Sequence, residues 1–221
     1  MSAPAERESP AVPHFGRRTE EAFAYALAVH AAQVRKKAAV PYASHLLAVA
    51  SIVMEDGGDE DQVVAALLHD APEDQGGLPR LEDIDHRFGS RVAGIVRACS
   101  DSLVEDRSTK APWEARKRGY LEHLERETDP AVLRVALADK LHNVRSMATD
   151  ATADPSTWDR FNGTPDQIVR YHRECLRVFR ERRPEGRFVA ELAVAVERLS
   201  ALADEEIARC GAEDGSRTSG R

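Results

Sequence analysis

The sequence HDAPED at residues 69–74 places one imidazole and three carboxylates within six consecutive positions. It directly follows an apolar run of Val, Ala and Leu, which is typical of a buried helix. Because residues four apart share one face of a helix, Glu73 is expected one turn beyond His69, and Asp74 likewise follows Asp70. Carboxylates this close repel one another unless a cation lies among them. The stretch therefore indicates either a cation site or a solvated helix end. For an isolated His-Asp pair, the solvated helix end would be the more common case.

Two more polar residues occur inside apolar stretches that predict helices. Asp139 interrupts the run VALADKL at 135–141, where its carboxylate needs a partner, either Lys140 or a residue elsewhere. Asn143 follows Asp139 by four residues and is expected on the same face. His45 lies near the start of another apolar helix, where a single histidine is more often structural than functional.

Taken together, these residues offer two imidazoles and two carboxylates from three predicted helices, namely His45, His69, Asp70 and Asp139. A mixed set of nitrogen and oxygen ligands suits a divalent metal such as manganese, iron or zinc. Such a metal lowers the pKa of a bound water and makes it a nucleophile near neutral pH. We therefore expect a metal site, provided that the three helices meet.

The elements that must position these residues are helices. Apolar residues recur at helical spacing, and no convincing alternation of apolar and polar residues predicts a strand. We expect an all-α fold of about nine helices in one domain at 18–209, after a disordered leader at 1–17 and before a disordered tail at 210–221. The first helix is expected to have Thr19 as its N-cap, and the last to end near Arg209.

Charge and cysteine content limit the classes of function. The net charge of −7 argues against a nucleic-acid binder, whose affinity rests on phosphate neutralisation. No apolar stretch approaches the ~20 residues that span a membrane, and the three scattered cysteines fit a reducing cytoplasm. We expect a cytoplasmic protein with a small-molecule partner, and the sequence leaves a homo-oligomer open. The consecutive cations Arg35, Lys36 and Lys37 are either a solvated loop or a local anion site.

The motifs, in their order along the chain, resemble those of a known family. His45, the pair at 69–70 and Asp139 match the signature of HD-domain phosphohydrolases. More narrowly, four stretches resemble the hydrolase domain of RelA/SpoT-type alarmone enzymes: RKK at 35–37 with PYxxH at 41–45, AALLHDxxED at 65–74, FG at 88–89 and LADKLxN at 137–143. The resemblance covers roughly residues 22–147.

The resemblance implies an all-helical enzyme that uses manganese, or another divalent metal, to remove the 3′-pyrophosphate of guanosine tetra- or pentaphosphate. It implies that the metal ligands are His45, His69, Asp70 and Asp139. It also implies that Glu73 and Asp74 orient or deprotonate the attacking water and protonate the leaving oxygen. The residues expected to contact the substrate are Arg35 against the base, Lys36 against phosphate, Asn143 against ribose and Tyr171 in the nucleoside pocket.

Two other interpretations stay open. One is an HD-type phosphohydrolase acting on another nucleotide, either a nucleoside phosphate or the 2′-phosphate of NADPH, which small members of the family also suggest. The other is a non-catalytic helical module that senses a nucleotide, although such a module would need neither the ligand set nor Glu73 and Asp74. Because no synthetase domain follows in the sequence, we expect a stand-alone hydrolase of the stringent response.

Overall fold

Helices account for the regular structure of this chain. The computed structural model describes residues 14–35, 39–183 and 186–218. Within these ranges there are ten α-helices and no β-strand, which confirms the predicted all-α fold, with ten helices where about nine were expected. The α-helices are α1 (Arg17–Val29), α2 (Ala43–Glu55), α3 (Glu60–Leu68), α4 (Ala71–Asp74), α5 (Gly77–Phe88), α6 (Ser90–Cys99), α7 (Trp113–Arg126), α8 (Pro130–Ala153), α9 (Pro165–Arg182) and α10 (Arg187–Thr218). Among the described residues, no helix combines the length and the apolar character needed to cross a lipid bilayer.

Helix α8 lies at the centre of the fold. It packs against α2, α3, α6, α9 and α10, and most of its residues between Ala131 and Ala151 are buried. Leu46 on α2, Leu68 on α3 and Leu141 on α8 are each at most 1% exposed. Burying a leucine side chain contributes about 1.5–3 kcal/mol. The packed apolar faces of α2, α3 and α8 therefore fix the three helices that carry the candidate metal ligands.

Local sequence determines where the helices of the site begin. Asp59 precedes α3, and its side chain accepts a hydrogen bond from the Gln62 N–H at 3.0 Å. Asp129 caps α8 in the same way through the Ala131 N–H at 2.8 Å. Pro130 occupies the first turn of α8, where proline is favoured because its missing N–H is not needed. Such caps contribute about 1 kcal/mol each.

The sequence predicted one helix running from the apolar stretch at 63–68 through the acidic cluster at 69–74, and this prediction is wrong. Helix α3 ends at Leu68, and Ala71–Asp74 form a separate single turn, α4. Pro72 has no N–H to donate to the preceding turn, and its ring disfavours a continuous helix. The Asp74 N–H still donates to the Asp70 carbonyl at 2.9 Å. Asp74 therefore remains one turn beyond Asp70, although the helix is interrupted before it.

The first helix begins earlier than the sequence predicted, and the last helix ends later. Helix α1 begins at Arg17, because the Gly16 carbonyl accepts the N–H groups of Thr19 and Glu20. Helix α10 continues past the predicted end at Arg209 and reaches Thr218, since no proline interrupts this segment. Residues 1–13 and 219–221 lie outside the described residues. The division into leader, domain and tail stays a prediction.

The segment between α1 and α2 folds back on itself. Val34 and Pro41 form an isolated antiparallel bridge, and the Arg35 N–H donates to the Val40 carbonyl at 2.9 Å. The bridge holds Arg35 beside Val40 and Pro41, just before the start of α2 and therefore near His45.

Candidate active site

The four side chains that the sequence groups as metal ligands converge on one point. His45 comes from α2, Asp139 from α8, and His69 and Asp70 from the bend between α3 and α4. Asp70 Oδ2 lies 3.3 Å from His45 Nε2 and 3.1 Å from His69 Nε2. Asp139 Oδ1 lies 3.3 Å from His45 Nε2 and 3.6 Å from His69 Nε2. Both imidazoles are 1% exposed, so the two nitrogens are removed from bulk solvent.

The hydrogen bonds of His69 favour a tautomer that is suited to metal binding. Its Nδ1 lies 2.8 Å from the Ala66 carbonyl oxygen. Since a carbonyl only accepts, Nδ1 carries the proton, and Nε2 of the neutral ring keeps its lone pair. Nε2 is buried and has no hydrogen-bond partner among the described residues. A nitrogen left in this state where two carboxylates meet fits a metal ligand.

His45 is oriented by a second histidine that the sequence analysis missed. His45 Nδ1 lies 2.7 Å from His142 Nδ1. Burial, with smaller effects from the charges of His45 and Arg35, lowers the pKa of His142 to about 3. The neutral His142 ring can therefore accept a hydrogen bond from the His45 Nδ1–H, which leaves His45 Nε2 available to the cluster. The position of His142, three residues after Asp139 on one helix face, was the signal in the sequence.

The cluster also has the electrostatics of a cation site. Burial would lower the pKa of His69, but Asp70 and Asp139 outweigh it and raise this pKa well above the ordinary value. The two carboxylates therefore favour a positive charge at His69 Nε2, and a metal ion bound there would take the place of the second proton. Burial would raise the pKa of Asp70, yet the imidazole of His69 holds it well below its usual range. Burial likewise opposes the ionisation of Asp139, and Lys140 does most to hold its pKa well below the usual range. Two ionised carboxylates with two imidazole nitrogens match the ligand preferences of manganese, iron or zinc.

Each carboxylate of the cluster is held by donors from outside it. The Tyr42 hydroxyl donates to Asp70 Oδ2 at 2.6 Å. Lys140 Nζ donates to Asp139 Oδ2 at 2.6 Å, and Asn143 Nδ2 donates to Asp139 Oδ1 at 2.5 Å. Such outer contacts fix the direction in which a ligand presents its lone pairs. Asn143, which was expected to contact ribose, therefore also orients a candidate metal ligand.

Glu73 is surrounded by donors and by one further carboxylate. The Asp101 N–H donates to Glu73 Oε2 at 3.2 Å. Lys110 Nζ donates to the Glu73 carbonyl at 2.9 Å and lies 3.4 Å from Oε1, and Arg116 Nη1 lies 3.7 Å from Oε1. Burial, followed by the negative charge of Asp101, raises the pKa of Glu73 to about 7. Glu73 can therefore hold a proton near neutral pH, as a general acid must.

A cavity of about 790 Å³ lies beside the cluster, which is within the usual range for a small-molecule site. The predicted site residues that line it are Arg35, Asp70, Glu73, Asp74, Asp139, Asn143 and Tyr171. Five cations that were not predicted as site residues line it as well: Lys110, Arg116, Lys117, Lys140 and Arg160. Asp101 binds two of them, at 2.5 Å from Arg116 Nη1 and 2.7 Å from Lys117 Nζ. The basic run RKR at 116–118 was the signal in the sequence for Arg116 and Lys117.

Of the four residues predicted to contact the substrate, three belong to the described part of the chain, and all three line the cavity. Arg35 Nη2 donates to Asn143 Oδ1 at 3.2 Å, so these two side chains lie together next to Asp139. Tyr171 is buried on α9, and its hydroxyl has no hydrogen-bond partner among the described residues. A buried hydroxyl of this kind, in a residue that lines the cavity, suits a contact with a ligand. Lys36, the expected phosphate contact, lies outside the described residues.

Known proteins resemble this chain in sequence and in fold. The family model described as "HD domain" matches residues 22–181. A Xenopus tropicalis guanosine-3′,5′-bis(diphosphate) 3′-pyrophosphohydrolase is 39% identical over 130 residues, which cover 58% of this chain and 68% of that protein. A probable GTP pyrophosphokinase of Mycobacterium leprae is 37% identical over 135 residues, but the chain spans only 16% of its length. A solved structure described as a metazoan orthologue of SpoT that hydrolyses ppGpp matches with a TM-score of 0.62 and 26% identity, over 90% of this chain and 98% of that one.

Proposed function

This chain belongs to the HD-domain family, and on that premise we propose that it removes the 3′-pyrophosphate of guanosine tetraphosphate or pentaphosphate to give GDP or GTP. The observation that carries the proposal is the convergence of two imidazoles and two carboxylates beside a cavity lined with cations. A small nucleotide with several phosphates is the class of substrate that such a cavity fits. The Xenopus tropicalis relative carries the name of this activity, which supports the same substrate.

We propose that His45, His69, Asp70 and Asp139 hold a divalent metal, and we expect manganese. A metal bound there activates water for attack on phosphorus. The hydrogen bonds at both Nδ1 atoms support this role, because coordination by Nε2 requires an imidazole whose Nε2 carries no proton.

Two carboxylates are proposed to carry out the proton transfers of the reaction. Asp74, held by Gln33, orients the attacking water and accepts a proton from it. Glu73, whose pKa is raised to about 7, donates a proton to the ribose 3′-oxygen as the bond from that oxygen to phosphorus breaks. The water oxygen forms the new bond to phosphorus, and the nucleotide leaves with a neutral 3′-hydroxyl.

The substrate is proposed to lie along the cavity between two groups of side chains. Arg35 and Asn143, which touch each other, contact the base and the ribose, and Tyr171 closes the nucleoside pocket. The net charge of −7 repels a polyanion at long range, so binding must rely on local cations. On the sequence alone, Lys36 is proposed as one phosphate contact. The cations that line the cavity and could hold the remaining phosphates are Lys110, Arg116 and Lys117.

The cysteines support a reducing compartment for this enzyme. Cys99 and Cys175 are buried, Cys210 is exposed, and none of the three forms a disulfide. Unpaired thiols persist in the cytoplasm because glutathione and thioredoxin keep them reduced. We therefore propose the cytoplasm as its location.

The proposal is tested by incubating the purified protein and manganese with ppGpp, NADPH and nucleoside phosphates in parallel, and by resolving the products by anion-exchange chromatography. We expect GDP and pyrophosphate from ppGpp. Glu73→Gln should bind metal and substrate but lose about 10²- to 10⁴-fold in turnover, the usual loss on removing a general acid. NADH and phosphate from NADPH, with no turnover of ppGpp, would assign the protein to another nucleotide. Binding without turnover of any substrate would indicate a sensing module.

A further inference from the structure

The side chain of Gln33 lies between α1 and the acidic turn α4 and makes three hydrogen bonds. Gln33 Nε2 donates to Asp74 Oδ2 at 2.6 Å. Gln33 Oε1 accepts from Gln75 Nε2 at 2.8 Å, and it lies 2.8 Å from His30 Nδ1. We propose that Gln33 is a positioning residue that holds the Asp74 carboxylate toward the cavity, and that His30 fixes the direction of its amide. This inference rests on the proposed role of Asp74.

The direction of the Gln33 amide follows from the chemistry of its neighbours. A carboxylate only accepts, so Gln33 must present its Nε2 to Asp74 and its Oε1 to the opposite side. His30 must then carry its proton on Nδ1. Burial lowers the pKa of His30, which keeps the ring neutral, and His30 Nε2 has no partner among the described residues. If the amide were reversed, its oxygen would face the carboxylate of Asp74.

The backbone around Gln33 is fixed as well as its side chain. The Gln33 N–H donates to the His30 carbonyl, and the Gln33 carbonyl accepts from the Tyr42 N–H, both at 2.9 Å. The His30 ring stacks on the Tyr42 ring at 5.1 Å between centroids, with 22° between the planes. The hydroxyl of Tyr42 in turn holds Asp70. These contacts therefore link the position of Asp74 to that of Asp70, a candidate metal ligand.

A test that needs no substrate follows the side-chain amide of Gln33 by ¹H–¹⁵N NMR in the metal-free protein, with its signals assigned from Gln33→Leu. We expect both amide protons to shift in Asp74→Asn, because the acceptor changes from a carboxylate to an amide. The matched control is Glu73→Gln, since Glu73 bonds to Asp101 and Lys110 instead, and the signals should stay in place there. Unchanged signals in Asp74→Asn would overturn the proposal.

Steady-state kinetics provide the second test. Gln33→Leu should lower kcat about 10- to 100-fold, the usual effect of misplacing a catalytic group, while KM and metal content stay near those of the parent. Gln33→Glu keeps the length and the acceptor atoms but loses the donated N–H, so it should show the same loss of kcat. Adding Gln33→Leu to Asp74→Asn should cost nothing further, because the two residues act as one unit.

The possible failures can be told apart. A raised KM with unchanged kcat in Gln33→Leu would make Gln33 a substrate contact and would overturn the positioning role. A lower melting temperature with additive losses in the double variant would make it a purely structural residue, which also overturns it. If the parent protein does not hydrolyse ppGpp, the proposed function fails, but the NMR result still decides whether Gln33 holds Asp74.

Discussion

His142 Nδ1 lies 2.7 Å from His45 Nδ1, so a histidine outside the candidate metal cluster orients one inside it. The two residues are 97 positions apart in the chain and come from α8 and α2. Metal-binding histidines commonly donate their second ring proton to such a partner, which fixes the tautomer. Here the acceptor is a second imidazole rather than the more usual carboxylate or carbonyl.

Replacing His142 should weaken metal binding without removing a ligand. In His142→Phe the ring volume stays, but His45 Nδ1–H loses its acceptor. We expect manganese affinity to fall about 10- to 100-fold, the usual cost of losing an outer-shell partner, as measured by calorimetric titration. The control is His86→Ala, because His86 is exposed on α5. Equal affinities in the two variants would contradict the orienting role of His142.

Replacing Asp139 should affect metal content and stability together. In Asp139→Ala the buried Lys140 ammonium loses the carboxylate that lies 2.6 Å from it, and leaving a buried charge unpaired costs about 3–5 kcal/mol. Metal content is checked by elemental analysis and the free energy of unfolding by urea titration.

A matched double variant separates these two effects. Asp139→Asn with Lys140→Met removes both charges, so it should recover most of the stability while remaining unable to bind metal normally. Full metal occupancy in either Asp139 variant would remove this residue from the proposed ligand set.

The raised pKa of Glu73 predicts a specific dependence of stability on pH. Its pKa rises from 4.5 in the unfolded chain to about 7 in the folded protein, so the folded state binds more protons between these values. The free energy of unfolding of the parent, relative to Glu73→Gln, should therefore fall as the pH rises from about 4.5 to about 7 and stay constant above, by at most about 3 kcal/mol. Urea titrations of both metal-free proteins at pH 5 and pH 8 provide the measurement. The same difference at both pH values would contradict a raised pKa for Glu73.

The cations that line the cavity should act on substrate binding rather than on metal content. Lys110→Met removes an ammonium whose charge-assisted hydrogen bonds are worth about 1.5–3 kcal/mol, so KM for ppGpp should rise about tenfold or more. Lys36→Glu should raise KM more steeply, because it reverses a charge. A suitable control is Arg170→Gln, whose guanidinium is exposed and pairs with Asp166 on the same helix. If Lys36→Glu binds ppGpp as tightly as the parent, the basic triplet at 35–37 is a solvated loop.

Local signals in the sequence predicted the all-α fold class and supplied a set of candidate metal ligands. The spacing of apolar residues predicted an all-α fold, and Asp129 with Pro130 marked the start of α8, because caps and helix periodicity depend only on neighbours in the chain. The side chains of His45, His69, Asp70 and Asp139 could be grouped as metal ligands from their chemistry. Their grouping relied on the assumption that three helices meet, which residue spacing alone does not establish.

Tertiary structure decided what each of these groups touches. The partner of His45 on α8, the enclosure of Glu73 by Asp101 and Lys110, and the bond from Gln33 to Asp74 all join residues at least 28 positions apart. Helical periodicity gives the face on which a side chain lies, but it does not say which other helix packs against that face. A pKa depends on burial and on nearby charges. The raised pKa of Glu73 therefore follows from tertiary packing and could not be predicted from the sequence. The sequence by itself therefore determined the available chemical groups, and the packing of α2, α3, α4, α7 and α8 decided which of them act together.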